Sequence, residues 1–165
     1  MTRLLIVGIS GTGKTYLAKD LSQKLNLPVI HLDSIFWKDK WQEQDEKIVV
    51  AKIKSALSQP KWIIEGYIEP LGKERVKRAE QIVYLDYSGM QALNGGIKRW
   101  LQLRKGVRPE MPTGNTETLG FRFLWTMLRR HERPEIESVI KGFEQKTVRL
   151  KSPKQTKNYL RQLVA

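Results

Sequence analysis

Gly8-Ile9-Ser10-Gly11-Thr12-Gly13-Lys14-Thr15 decides the fold of this chain. It fits the phosphate-binding loop pattern G-x-x-x-x-G-K-[ST], the Walker A pattern, at every defined position. Both flanks agree with it. Leu4-Leu5-Ile6-Val7 reads as a buried strand, and Leu17, Ala18, Leu21 and Leu25 recur at helical spacing. Glycines let such a loop curl so that successive N–H groups face phosphate oxygens. A helix opening at Lys14 adds the positive end of its dipole. Lys14 can reach the β- and γ-phosphates, and the Thr15 hydroxyl can ligand Mg²⁺. The stretch therefore predicts ATP-type nucleotide binding with Mg²⁺, through Gly8, Ser10, Gly11, Thr12, Gly13, Lys14 and Thr15.

Composition narrows the class. A chain of 165 residues suits a single domain with one good core. Hydrophobic residues make up 40%, which fits a globular protein and not a disordered one. The absence of cysteine excludes disulfides and cysteine-based zinc sites. With His31 and His131 as the only histidines, a dedicated transition-metal site is not expected. No apolar run approaches the roughly 18 residues of a membrane span. The first strand begins at once, so no signal peptide is expected, and a cytoplasmic protein follows. The net charge of +13, from 30 Lys+Arg against 17 Asp+Glu, favours nucleotides, phosphorylated substrates or nucleic acid as partners. Plain solubility explains the same charge equally well.

Helix one is expected to end near Asn26, because Pro28 cannot continue it. Pro28 to Leu32 reads as a second strand, with Asp33 directly at its carboxyl end. In open α/β sheets that is where ligands sit, so Asp33 is either placed for chemistry or caps a turn. Phe36, Trp37 and Trp41, with Lys38 and Lys40 among them, can stack on a base or line an acceptor pocket; packing is the commoner use of such a group. Val49, Ile53, Ala56 and Leu57 give an amphipathic helix stopped by Pro60. Trp62-Ile63-Ile64 is the third strand, ended by Glu65-Gly66. A carboxylate there suits Mg²⁺ coordination, and the length of Glu favours a water-mediated contact; otherwise Glu65 is a surface carboxylate at a turn. Ile82 to Leu85 is the fourth strand. Asp86 at its end is a second metal candidate, ranked below Glu65 because it can equally cap the next helix.

Met90, Leu93, Ile97 and Leu101 predict the apolar stripe of that helix, with Lys98, Arg99, Arg104, Lys105 and Arg108 marking its end. Gly106 to Asn115, with two glycines and two prolines, is the candidate mobile segment. Leu119, Phe123, Leu124 and Met127 restore helical spacing, and Arg129, Arg130 and Arg133 are expected to close that helix. Pro134 opens another, with Ile136, Val139, Ile140 and Phe143 on one face. Thr147 to Leu150 is a fifth strand. Ser152-Pro153 caps a last helix docked by Leu160, Leu163 and Val164. Five strands alternating with helices predict an α/β fold, a parallel sheet covered on both faces.

Taken together, the phosphate loop, His31-Leu32-Asp33 with Phe36-Trp37, Trp62 to Gly66 and the later arginines resemble the adenylate-kinase-like P-loop kinases. Arg108-Pro109-Glu110-Met111-Pro112 and Val148 to Pro153 resemble, within them, the DNA topology modulation (FlaR-related) group. The resemblance covers nearly the whole chain. It implies a P-loop NTPase three-layer sandwich with strand order 2-3-1-4-5 and a single domain over residues 1–165, with a short lid around 104–133. It further implies ATP on the loop, an acceptor pocket near Asp33, and lid arginines closing over the phosphates. The chain departs from that group in carrying Glu65-Gly66-Tyr67-Ile68 where Asp-Gly-Asn-Tyr is frequent, which leaves the metal carboxylate a Glu and removes the Asn. The lid has no zinc-binding cysteines.

The expected function is thus an ATP- and Mg²⁺-dependent phosphotransferase acting on a small acceptor such as a nucleoside or nucleotide. Lys14 would neutralise the β- and γ-phosphates, and Thr15 and Glu65 would hold Mg²⁺. Asp33 would orient or deprotonate an acceptor hydroxyl, and Arg99, Arg104, Arg129 and Arg133 form the pool of lid cations. The alternatives are a nucleotide-regulated DNA-binding protein, although no DNA-reading module is recognisable, and a slow ATPase without an acceptor. No membrane partner is expected, and the sequence leaves the oligomeric state open.

Overall fold

β1 (Arg3–Gly8) is the axis of the molecule, paired in parallel with β3 (Trp62–Glu65) on one side and β4 (Gln81–Leu85) on the other. β2 (Val29–His31) extends the sheet beyond β3, and β5 (Thr147–Leu150) extends it beyond β4. All four pairings are parallel, giving the order β2-β3-β1-β4-β5. A computed structural model describes residues 1–66, 69–103, 106–116, 118 and 120–163. Strands buried on both faces explain the unbroken apolar runs in the sequence.

Successive strand residues face opposite sides, so β1 feeds two cores. Leu4 and Ile6 pack with Leu17, Ala18 and Leu21 of α1 (Lys14–Leu25) and with Tyr159 of α8 (Pro153–Gln162). Leu5 and Val7 face the other layer. There lie α3 (Glu46–Ser58), α4 (Gly72–Arg78), α5 (Gly89–Leu103), α6 (Phe121–Arg129) and α7 (Arg133–Ile140). The helix ends follow their residues. Asn26 takes the left-handed conformation that closes α1, and the Ser152 hydroxyl accepts from the Gln155 N–H at the start of α8.

Three expectations change. Leu32 does not end β2; it opens a short helix, α2 (Leu32–Phe36), which puts Asp33 in that helix's first turn. Only part of the apolar stripe expected of α5 packs: Leu93 rests against the core and Ile97 is half-buried. Met90 and Leu101 are 58% and 51% exposed, while Gly89, Ala92 and Gly96 are buried. The inward face is shifted toward Gly89, Ala92 and Gly96, because small residues admit neighbouring backbone that Met or Leu would exclude. A Cβ on Gly95 would lie 2.1 Å from the Gly11 carbonyl oxygen, and one on Gly11 2.2 Å from that of Ala92. Only glycine permits such contact. Finally, Arg133 begins α7 instead of closing α6, and Phe143 lies past the end of α7. Leu119 and Val164 fall outside the described residues.

Candidate active site

The phosphate loop joins the carboxyl end of β1 to α1, with Gly13 left-handed at φ 86° just before the helix. Lys14 Nζ folds back onto the loop and donates to the carbonyls of Gly8 (2.8 Å) and Ile9 (3.1 Å). The Thr12 hydroxyl, buried, donates to the same Ile9 carbonyl at 2.8 Å. Ser10, Gly11, Gly13, Lys14 and Thr15 open onto a cleft of about 1460 Å³; Gly8 and Thr12 lie beneath its surface.

Beside the loop, Glu65 is 4% exposed at the end of β3. Its Oε1 accepts from the Thr15 hydroxyl at 3.1 Å and lies 2.7 Å from His31 Nδ1 on the adjoining strand. Strand register brings His31 and Glu65 level, so the pair is a product of the sheet. A hydroxyl and a carboxylate within hydrogen-bond distance are hard oxygen donors of the kind Mg²⁺ takes. That ion uses one or two protein oxygens and fills its octahedron with phosphate and water. No group of three or more His, Cys, Asp or Glu able to hold a metal ion occurs among the described residues.

The wall facing the loop belongs to α2 and the turn after it. Trp37 and Trp41 meet edge to face, ring centroids 5.6 Å apart, and both line the cleft with Phe36. Asp33 Oδ2 accepts from Arg108 Nη1 at 3.2 Å, and the Arg108 guanidinium lies 6.0 Å from the Trp41 ring centre. The segment around Arg108 is tied at several points. Glu110 pairs with Lys19 of α1 at 3.4 Å. Asn115, 1% exposed, donates to the Lys38 carbonyl at 2.9 Å and accepts from the Trp41 N–H. The stretch expected to be mobile therefore bridges the aromatic wall and α1.

Of the expected lid arginines, Arg99 on α5 lines the cleft. Arg104 lies outside the described residues. The structure does not bring the other two to the cleft. Arg129 stacks on Trp125, its guanidinium carbon 4.6 Å from the ring centre. Arg133 donates to Asp86 at 3.0 Å and pairs with Glu137 at 2.9 Å. Arg130 and Arg149 also bind Asp86, whose side chain is buried at the end of β4. Burial pushes the Asp86 carboxyl up, but hydrogen bonds from Arg133 and Arg149 and the charges of Arg130 and Arg133 outweigh it and hold it down at about 2.

Two residues of the site had no sequence signal. Glu132, in the turn between α6 and α7, accepts from the Ser10 N–H at 2.9 Å and the Ser10 hydroxyl at 2.8 Å, across 122 positions of sequence. His31 stands in the sequence as one of two histidines and as part of the His31-Leu32-Asp33 stretch, with no role of its own attached. Its role beside Glu65 depends on a strand pairing that no local pattern states.

Known proteins share this architecture. Residues 4–82 match the model of the ATPase family associated with various cellular activities (AAA). No curated protein matches the sequence. Among solved structures, shikimate kinase from Acinetobacter baumannii in complex with shikimate is 16% identical, with TM-score 0.61, over 99% of this chain and 91% of that one. A gluconokinase from Sinorhizobium meliloti 1021 is 15% identical, with TM-score 0.60, over 98% and 89%. A sugar kinase from Janibacter sp. HTCC2649 is 13% identical, with TM-score 0.57, over 99% and 95%. A five-stranded parallel sheet in the order 2-3-1-4-5, helices on both faces and a phosphate loop after its central strand give this chain a P-loop kinase-like fold.

Proposed function

We propose that the chain is an ATP- and Mg²⁺-dependent phosphotransferase that moves the γ-phosphate to a hydroxyl of a small acceptor. One observation carries this reading: the phosphate loop with its Thr15–Glu65 pair and the Asp33–tryptophan wall line the same cleft. That is the layout of a two-substrate site, in which positioning supplies most of the rate. Lys14 leaves the Gly8 and Ile9 carbonyls to bind the β- and γ-phosphates. Thr15 and Glu65 would hold Mg²⁺ directly or through water, which would supply charge neutralisation at the transferring phosphate. Asp33 orients the acceptor hydroxyl and takes its proton once Arg108 yields. Arg99 and Arg104 supply cations to the closed cleft, while Arg129 and Arg133 serve the structure around it.

The acceptor wall carries Asp33, Glu43 and Glu46 beside its tryptophans. Aromatic faces with carboxylates suit a ring bearing hydroxyl or amino groups, which supports a nucleoside-like acceptor over a nucleotide. The resemblance to the topology modulation group, carried by Arg108 to Pro112 and Val148 to Pro153, names no acceptor. A DNA-binding reading would need its arginines on an open surface, yet Arg130 and Arg133 are engaged with Asp86. The test is an acceptor screen with ATP and Mg²⁺: nucleosides, nucleotides, sugars and amino sugars, with ADP release read against the no-acceptor rate. A hydroxyl compound is expected to stimulate release and emerge phosphorylated. ATP binding without stimulation by any class would leave an ATPase in its place.

A further inference from the structure

The loop already holds an anion from its own chain. Both Glu132 carboxylate oxygens are hydrogen-bonded to Ser10, one to its N–H and one to its hydroxyl, and both residues line the cleft. The position along the loop is informative. A phosphate-loop lysine contacts the β- and γ-phosphates, and here the Lys14 ammonium rests on Gly8 and Ile9. The ammonium has only to swing off these carbonyls to meet the terminal phosphates, which places them near the Gly8–Ser10 end of the loop, where Glu132 sits. The α6–α7 turn that delivers Glu132 is itself fixed, because Arg130 and Arg133 on either side of it both bind Asp86. The carboxylate is thus placed by the fold, and clearing the loop requires only a side-chain rotation.

We propose that Glu132 occupies the γ-phosphate seat of the loop and thereby sets the discrimination between nucleoside triphosphate and diphosphate. This rests on the nucleotide reading above. A γ-phosphate must displace the carboxylate from Ser10 and then lie close to a like charge. A diphosphate, ending one phosphate short, leaves the Glu132–Ser10 contact in place. After transfer, the carboxylate returns to Ser10 as the phosphorylated product departs, so the same contact lowers the affinity for ATP and restores the empty state of the loop.

The experiment is calorimetric titration of ATP and of ADP, each with Mg²⁺, into the wild-type chain, Glu132→Gln and Glu132→Ala. Gln keeps an oxygen that accepts from the Ser10 N–H and removes only the charge. Loss of one like charge at this range should tighten ATP about tenfold, with ADP changed less than about twofold. Ala should shift the ratio of the two affinities in the same direction. Should either Glu132 variant fail to fold, Ser10→Ala removes one of the two bonds and should favour ATP over ADP by about threefold. An unchanged ratio, with ATP and ADP moving together, would make Glu132 a purely structural strut and overturn the proposal, as would weaker ATP binding by Glu132→Gln. Failure of the wild-type chain to bind either nucleotide would instead remove the nucleotide reading on which it rests.

Discussion

The two strands beside β1 each end in a buried carboxylate, and the two acids sit among opposite kinds of partner. Glu65 closes β3 facing a hydroxyl and an imidazole, and it opens onto the cleft. Asp86 closes β4 and is bound by Arg130, Arg133 and Arg149. Three guanidinium groups leave Asp86 no lone pair to offer a metal, whereas Glu65 has oxygen valence to spare. Both carboxylates are placed by a strand end, and their neighbours decide how much of each stays open: Asp86 is taken up by arginines, and Glu65 keeps oxygen facing the cleft. The same division runs through the arginines: Arg99 faces the cleft, and Arg133 holds the carboxyl end of β4 to α7.

The largest expected effect lies on the loop, next to Glu65. Lys14→Ala should lower ATP turnover by about 10²-fold or more, since one preorganised charge at the transferring phosphate is lost. Its melting temperature should stay near that of the wild type. Near-normal turnover would break the chemical half of the comparison outright.

The comparison itself is tested by a pair of isosteric changes. Glu65→Gln should slow transfer by about tenfold or more and raise the Mg²⁺ concentration needed for half-maximal rate, with little change in stability. Asp86→Asn should do the reverse, costing about 2–3 kcal/mol of stability, because three arginines lose their shared partner, and leaving the Mg²⁺ dependence alone. Urea unfolding and Mg²⁺ titrations of the same two variants settle it. If the phenotypes come out exchanged, the metal carboxylate is Asp86.

Acid sharpens the contrast further. The Asp86 carboxyl is held at about 2 instead of its ordinary 3.8. A depressed carboxylate contributes stability that is fully present above its ordinary value and is lost as pH falls through the folded one. Between about pH 4 and pH 2 the wild type should therefore lose about 2 kcal/mol that Asp86→Asn never had. The two urea curves should converge over that window, and parallel curves would show the arginine cluster to be weakly coupled.

The smallest effect expected concerns Asp33. Asp33→Asn should reduce acceptor-stimulated turnover while basal ATP hydrolysis changes less than about threefold. Loss of both in proportion would move Asp33 from the acceptor to the metal or to the scaffold.

Legibility followed the range of the interactions. The phosphate loop, all five strands and the caps at Asn26 and Ser152 are local, and the residues state them. Strand order came with the resemblance to P-loop kinases. The inward face of α5 misled because Met90 and Leu101 form a true apolar stripe, while packing was decided by glycines, which carry no hydrophobic signal. Helix α4 escaped notice because its sequence, Gly-Lys-Glu-Arg-Val-Lys-Arg, places Arg75 fully buried where an apolar residue would reveal the period. Burial lowers that guanidinium to about 10 against the raising influence of Glu69, and its Nη1 donates to the Pro70 carbonyl at 2.6 Å. The site was half legible. Lys14, Thr15, Asp33 and Glu65 were named by position. What separates Glu65 from Asp86, and what places Glu132 on Ser10, comes from partners far away in sequence.

Gly11 and α5 meet main chain to main chain, with no side chain between them to rotate, compress or shorten. A joint of that kind has no clearance. A side chain placed at Gly11 or Gly95 would have to push the helix off the loop, so the close seating of α5 on the phosphate loop depends on glycine at both positions. Two glycines far apart in sequence thus set how near the helix carrying Arg99 lies to the phosphate loop.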